Sequence, residues 1–316
     1  MRHAFARTLC EIAESDDRII LLTADLGFMV LEEFAQAYPS RFFNVGVAEA
    51  NMIGLATGLA ASGYIPFVYS IATFASMRGY EQMRNGPILH NLPVRIIGVG
   101  GGFEYGHAGF THHALEDLAI ARVQPGLTVI VPADDAQAVS ALHRTYDISG
   151  PIYYRMSKQD NWTLPNLDGR FGLGRVEIVR EGPDLLVVSI GNISCEALQA
   201  ATILAEKGFE ATVAVVSSLR PAPTDDLTRL LEQFPLVASV EEHYLCGGLG
   251  SLVSEVAAEN GFPCKVLRLG IPDEMPCVCG SVHFLRDKAG LSAQGIAAKL
   301  IAKSERKAFR RLANSD

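Results

Sequence analysis

Residues 42–77 read FFNVGVAEANMIGLATGLAASGYIPFVYSIATFASM, and Glu49 is the only charged side chain among these 36 residues. A carboxyl in so apolar a setting is costly to keep ionised, so Glu49 is expected to be neutral, paired or held for proton transfer. Residues 50–62 follow with helical spacing and small side chains. Gly54, Gly58 and Ala61 fall on one face, which another backbone can approach closely. Each glycine costs about 1 kcal/mol against alanine in a helix interior, and tight packing is the expected compensation. A plainer reading stands beside this one: a core helix with a surface glutamate in its first turn, where the helix dipole favours an anion by about 0.3–1 kcal/mol. Short apolar runs at 42–45 and 64–69 flank the helix as strands, so the stretch reads strand, helix, strand.

The same grammar extends both ways. Helical spacing covers 2–15 and a buried strand 18–23. Downstream come a helix over 73–85, a strand at 94–99, a helix at 114–121, strands at 127–131 and 152–155, and between those two a helix begun by Pro132-Ala-Asp-Asp135. Periodicity dissolves from Ser157 to Asp184, with a hairpin expected around 172–179. It then resumes as strands at 185–190, 211–216, 236–240 and 265–269 alternating with helices at 195–207, 225–233 and 249–260. Alternation of this kind predicts an α/β protein of two three-layer α/β/α domains with mostly parallel sheets, residues 1–160 and 185–316, joined by a linker at 161–184.

The 316 residues allow two such domains. With 49% hydrophobic and 20% charged residues and no repeats, the composition is that of a folded globule. A formal net charge of -8 disfavours nucleic acid, and the one basic cluster, Lys303 to Arg311, belongs to a terminal helix. The longest apolar runs are interrupted before membrane-spanning length, and the first ten residues carry Arg2, His3 and Arg7 instead of a signal core. Six scattered cysteines suit a reducing compartment, and Cys277 and Cys279 have the wrong spacing for zinc. A cytoplasmic protein is expected.

Asp25 ends the first strand, where open α/β sheets bind ligands, although helix capping is a commoner role for such a residue. The run Gly98-Val-Gly-Gly-Gly-Phe-Glu-Tyr-Gly106 lacks the third glycine of a dinucleotide fingerprint, and a polar loop, His107-Ala-Gly-Phe-Thr-His-His113, follows it. That loop suits hydrogen bonding to a polar ligand better than metal binding. Glu241-Glu-His243 ahead of Gly247-Gly-Leu-Gly250 fits either a binding crevice or a helix start at a solvated edge.

Taken in order, these stretches resemble transketolases. Thr23-Ala-Asp-Leu26, Asn44-Val-Gly-Val-Ala-Glu-Ala-Asn51, Thr73-Phe-Ala-Ser-Met-Arg-Gly-Tyr-Glu-Gln82, Gly109-Phe-Thr-His-His-Ala-Leu-Glu-Asp117 and Pro132-Ala-Asp134 carry the resemblance in the first half, with Glu241-Glu-His243 and Gly247-Gly-Leu-Gly250 in the second. It covers nearly the whole chain and corresponds to the C-terminal half of a full-length enzyme: the pyrimidine-binding domain followed by the C-terminal domain. The resemblance implies that Glu49 is the glutamate that hydrogen-bonds a pyrimidine ring nitrogen of thiamine diphosphate, sharing a proton with the ring within an apolar wall. It implies that Phe74 stacks on the pyrimidine, that Ile71 and Met77 line the same wall, and that Asp25 adjoins the cofactor. His112 matches a substrate-facing histidine that contacts sugar hydroxyls and the oxygen on which charge develops.

The GDG motif with which full-length transketolases hold the diphosphate and Mg2+ is missing. The resemblance therefore implies a split enzyme whose N-terminal, diphosphate-binding subunit supplies that site, with an α2β2 heterotetramer expected and the small-residue helix as part of the interface. Ala108 stands where transketolases of sugar phosphates have aspartate, Gly100 where they have a phosphate-contacting histidine, and Ser157-Lys158-Gln159 where they carry an arginine. Lysine binds phosphate as a point charge without the two-pronged geometry. Lys158 and His107 are accordingly the candidate substrate contacts beside His112, and a modified, truncated or non-phosphorylated sugar is the expected acceptor. Two other readings remain: the corresponding subunit of a 2-oxo acid dehydrogenase or of a deoxyxylulose-phosphate synthase-like enzyme, and a non-catalytic regulatory subunit of the same fold.

Overall fold

The computed structural model describes residues 1–274 and 277–313; the side chains from 304 onward, and with them most of the basic cluster, lie outside the described residues. The strands are β1 (Ile19–Thr23), β2 (Phe42–Asn44), β3 (Ile65–Ile71), β4 (Arg95–Val99), β5 (Thr128–Ile130), β6 (Ile152–Met156), β7 (Val176–Arg180), β8 (Leu185–Ile190), β9 (Ala211–Val216), β10 (Ser218–Arg220), β11 (Leu236–Tyr244) and β12 (Lys265–Ile271). Between them run α1 (Arg2–Ser15), α2 (Glu32–Ala37), α3 (Glu49–Ala61), α4 (Ala72–Met77), α5 (Tyr80–Met83), α6 (Asp117–Arg122), α7 (Asp135–Thr145), α8 (Ser194–Ala205), α9 (Thr224–Gln233), α10 (Leu249–Glu259), α11 (Val282–Lys288) and α12 (Ala293–Ala313).

The strands form a seven-stranded sheet in the order β10-β5-β6-β4-β3-β1-β2 and a five-stranded sheet in the order β12-β11-β8-β9-β7. Every pairing is parallel except β10 with β5 and β7 with β9, each at an edge. Strands β1, β3, β4 and β6 are buried along their whole length, which is why the sequence reads there as mainly apolar runs, with the buried Arg95 and Arg155 as exceptions.

Four expectations need correction. The segment read as a hairpin at 172–179 instead supplies β7, the edge strand on β9. The helix read over 73–85 is divided into α4, α5 and a π-helical turn at Arg84–Ile88 containing Pro87; a side chain at Gly79 would meet Ile53 Cγ1 at 2.8 Å, so the chain turns where α3 presses on it. The helix placed at 114–121 begins at Asp117, because Ala114 pairs with Gly102 in a β-bridge. Finally, β10 leaves the second half of the chain to complete the first sheet, so the two sheets are not independent.

The Gly98–Gly106 run owes its glycines to packing. A Cβ at Gly101 would lie 2.0 Å from Arg155 Nε, and one at Gly102, where φ is +64°, would lie 2.5 Å from Glu242 Cγ. Glu241, Glu242 and His243 are likewise buried, not a solvated edge. Glu241 accepts from the backbone N–H groups of Leu249 (2.7 Å) and Gly250 (2.8 Å), capping α10.

His243 has both ring nitrogens committed: Nδ1 lies 2.7 Å from the Tyr244 carbonyl and Nε2 accepts from the Ala119 N–H at 3.2 Å. This fixes a neutral imidazole, and burial pushes its pKa from 6.5 down to about 4. A folded-state pKa below the unfolded one means the stability contribution is whole above 6.5 and is lost as pH falls toward 4. The cost of His243→Asn is therefore expected to shrink by about 2 kcal/mol between about pH 7 and pH 5. Urea unfolding of both proteins at the two pH values measures it; the difference cancels neighbouring titrations such as that of Glu241, which burial raises to about 7.

Candidate active site

Parallel strands deliver their C-terminal ends to one edge of the first sheet, and the candidate residues gather there. Glu49 opens α3 and is 2% exposed. Its surroundings differ from the apolar wall expected of a lone carboxyl. Ser70 at the end of β3 donates its hydroxyl to Glu49 Oε1 at 2.9 Å, and Arg78 donates from Nη1 to Oε2 at 2.9 Å. The carboxyl is thus a paired, hydrogen-bonded acceptor. Arg78 stands one residue beyond the stretch whose charges define the apolar segment.

From this pair a row of side chains runs outward. The Arg78 guanidinium carbon lies 4.1 Å above the Phe74 ring centroid, and Phe74 meets His112 edge-on at 5.1 Å. His112 is bonded through Nδ1 to the Thr111 hydroxyl at 2.9 Å and faces the Tyr105 ring at 6.2 Å; Lys158 Nζ rests 4.3 Å over Tyr105. The structure therefore brings Glu49, Phe74, His112 and Lys158 into one array, and it adds Ser70, Arg78 and Tyr105, which the sequence pattern does not single out. Arg78 carries a signal, a charge directly after a long uncharged run; Ser70 and Tyr105 carry none that composition or spacing reveals.

Ile71 and Met77 adjoin Ser70 and Arg78 of that row in the chain, whereas Asp25 belongs to a different cavity. Ile71 is a buried residue ahead of α4, and Met77, 43% exposed, ends the same helix. Asp25, in a left-handed conformation at φ 56°, exchanges hydrogen bonds of 3.0 Å with Asn44 and lines a separate cavity of about 190 Å³ with Phe28 and Glu32. His107 is exposed on a short 3-10 turn. Among the described residues, no three His, Cys, Asp or Glu side chains are placed to hold a metal ion.

Residues 1–161 match the family model "Transketolase, pyrimidine binding domain" and residues 174–296 "Transketolase, C-terminal domain". The chain belongs to the transketolase family. Within it, this transketolase-family chain corresponds to the C-terminal subunit of a split enzyme. It is 35% identical to a putative transketolase C-terminal section of Methanocaldococcus jannaschii, over 95% of each chain. It is 35% identical to a subunit of the apulose-4-phosphate transketolase of Phocaeicola vulgatus, over 93% of this chain and 94% of the relative. It is 36% identical to the 6-deoxy-6-sulfo-D-fructose transketolase subunit SqwH of a Clostridium species, over 98% and 96%. A solved split gene transketolase, described as an inactive beta4 tetramer, superposes with a TM-score of 0.84 at 36% identity over 94% of this chain and 95% of that one.

The array suits the pyrimidine of thiamine diphosphate, the cofactor that the family implies. A flat group bearing N–H donors already lies over Phe74 while hydrogen-bonded to Glu49, so stacking and carboxyl contact are compatible at this spot.

Proposed function

We propose that this chain is the pyrimidine-binding subunit of a thiamine diphosphate-dependent transketolase that moves a two-carbon ketol unit from a ketose to an aldose, working in the cytoplasm with a separate diphosphate-binding subunit. The observation that carries this reading is the pairing of a buried, hydrogen-bonded Glu49 with the ring of Phe74 through one planar group, with His112 against the same ring. When bound, the cofactor supplies the carbon nucleophile that accepts and releases the ketol unit. Glu49 would hold and share the proton on the pyrimidine side, Ser70 would keep the carboxyl oriented, and Phe74 would fix the ring plane. His112 would donate to the substrate oxygen as charge develops there. Mg2+ and the diphosphate would be held by the partner.

The partner's docking face is proposed to be α3. Expected tight packing on Gly54 and Gly58 does not occur within the chain, where a Cβ at either would meet nothing within 4 Å. Asn51, Gly54, Leu55, Gly58 and Ala61 form one exposed helical face, and Val47, 69% exposed, extends it. Thiols at Cys10, Cys195, Cys246, Cys264 and Cys279 support a reducing compartment. No helix among the described residues is long and apolar enough to cross a membrane.

Relatives named for modified ketoses support a modified donor, the sugar from which the ketol unit leaves. Lys158 bears on the phosphate: Lys158→Ala is expected to raise KM about tenfold for a phosphorylated acceptor and leave a non-phosphorylated one unchanged, the loss of one hydrogen bond to a charged group. Steady-state kinetics with a matched pair of aldoses reads this. A second reading, a deoxyxylulose-phosphate synthase-like activity, draws on 36% identity to 1-deoxy-D-xylulose-5-phosphate synthase of Syntrophotalea carbinolica, over 94% of this chain but 47% of that protein. Reconstitution with the diphosphate-binding subunit separates the two: ketose turnover without carbon dioxide release supports ketol transfer, and carbon dioxide release from pyruvate without ketose turnover reverses the order.

A further inference from the structure

Arg78 has the shape and chemistry of what the site is proposed to bind. Its guanidinium is planar and delocalised, carries N–H donors along one edge, lies 4.1 Å over Phe74 and donates to Glu49 Oε2 at 2.9 Å. An aminopyrimidine, with its own nitrogen-rich edge and π face, makes the same two demands of the same two residues. Both cannot use that face of Phe74 at once. We propose that Arg78 is an internal stand-in for the pyrimidine: it fills the Glu49–Phe74 slot and swings out when the ring enters. The proposal rests on the cofactor reading above.

Magnitudes favour a gate over a fixed strut. The Arg78 side chain is 45% exposed while that of Glu49 is 1% exposed, so the arginine has water to leave into and the carboxylate has none. A half-exposed ion pair and an exposed cation–π contact are both weak, and an entering cofactor can displace them. Ser70, fully buried, stays on Oε1 when Arg78 departs, so the carboxyl keeps its aim. A buried charge stripped of its counter-ion is costly, which favours a proton shared between Glu49 and the incoming ring nitrogen. Without a ligand, Arg78 keeps the slot from binding other flat molecules and keeps Glu49 paired.

The test uses the assembled pair of subunits and follows binding of thiamine diphosphate with Mg2+ by stopped-flow fluorescence and calorimetry, without substrate. Arg78→Ala is expected to speed association and lower Kd, each by about tenfold. Arg78→Lys, which keeps the charge on Glu49 and loses the planar stack, should fall between. Inorganic diphosphate, a probe of the partner's site alone, should bind all three proteins equally. The sign is diagnostic, because removing a cation near an anionic ligand ordinarily weakens binding. Unchanged or weaker binding of thiamine diphosphate to Arg78→Ala overturns the proposal, marking Arg78 as a bystander or as a residue that holds the cofactor. Should Arg78→Ala fail to assemble, Arg78→Gln carries the same expectation and the same refutation. If the assembled wild-type pair binds inorganic diphosphate but not thiamine diphosphate, the cofactor reading itself fails and the gate with it.

Discussion

Replacing Glu49 by Gln in the assembled pair is expected to lower ketol-transfer turnover by about 10²- to 10⁴-fold, the usual worth of a positioned proton-transfer group. The substitution keeps the side chain's length and leaves an amide oxygen to accept from the Ser70 hydroxyl that now bonds Oε1. What it removes is the negative charge and the proton-sharing capacity. Arg78 loses its partner, yet its exposed guanidinium turns to water at little cost. Thermal unfolding and subunit association should therefore stay close to wild type while turnover collapses. Steady-state kinetics at saturating cofactor, beside sedimentation of the pair, measures both, and undiminished turnover would rule out the role given to Glu49.

The fold was legible where burial is complete on both faces. Strands β1, β3, β4 and β6 announce themselves as mainly apolar runs because a sheet covered on two sides leaves few polar positions, and α7 declares its start through Asp134, whose carboxyl accepts from the Gln137 N–H at 2.8 Å. Features decided by contacts distant in sequence were not legible. The short strand β10 is strand only because β5 offers it an edge, and the break after α4 depends on Ile53 of another helix. The site divides the same way. Glu49 stands out through its isolation in the sequence, but Arg78, which ends that isolation in space, reaches back from α4's C-terminal end. Glu241, Glu242 and His243 read as a crevice or a solvated edge because adjacent charges usually are; here each is buried with a hydrogen-bond partner.

The second large effect concerns that buried polar chain, at Arg286. Its side chain is 5% exposed and joins the two halves of the protein. Arg286 Nε donates to Glu242 Oε2 at 2.8 Å and Nη2 donates to the same oxygen, while Glu242 Oε1 accepts from the Phe103 N–H at 2.7 Å. Nη2 also donates to Asn192 Oδ1 at 2.9 Å, and the amide of Asn192 continues to Glu104, which Ser157 and the Lys158 N–H also contact. Burial acts to lower the Arg286 pKa, but the charge of Glu242 and its hydrogen bonds overcome that and hold the guanidinium firmly protonated. Arg286→Ala strands Glu242 as a buried charge with a single backbone donor on its other oxygen, and is expected to cost about 3–5 kcal/mol of stability. Removing both charges is a different matter, since two apolar side chains of similar volume avoid the desolvation altogether. The double variant Arg286→Met, Glu242→Met should therefore recover most of the loss, and urea unfolding of the two single variants and the double variant reads the coupling. The same chain fixes the backbone at Lys158 through Glu104, so Arg286→Ala, assayed well below its unfolding transition, should also raise KM for a phosphorylated acceptor. A double variant less stable than either single one would mean that Arg286 acts through packing of its stem and not through the charge it neutralises.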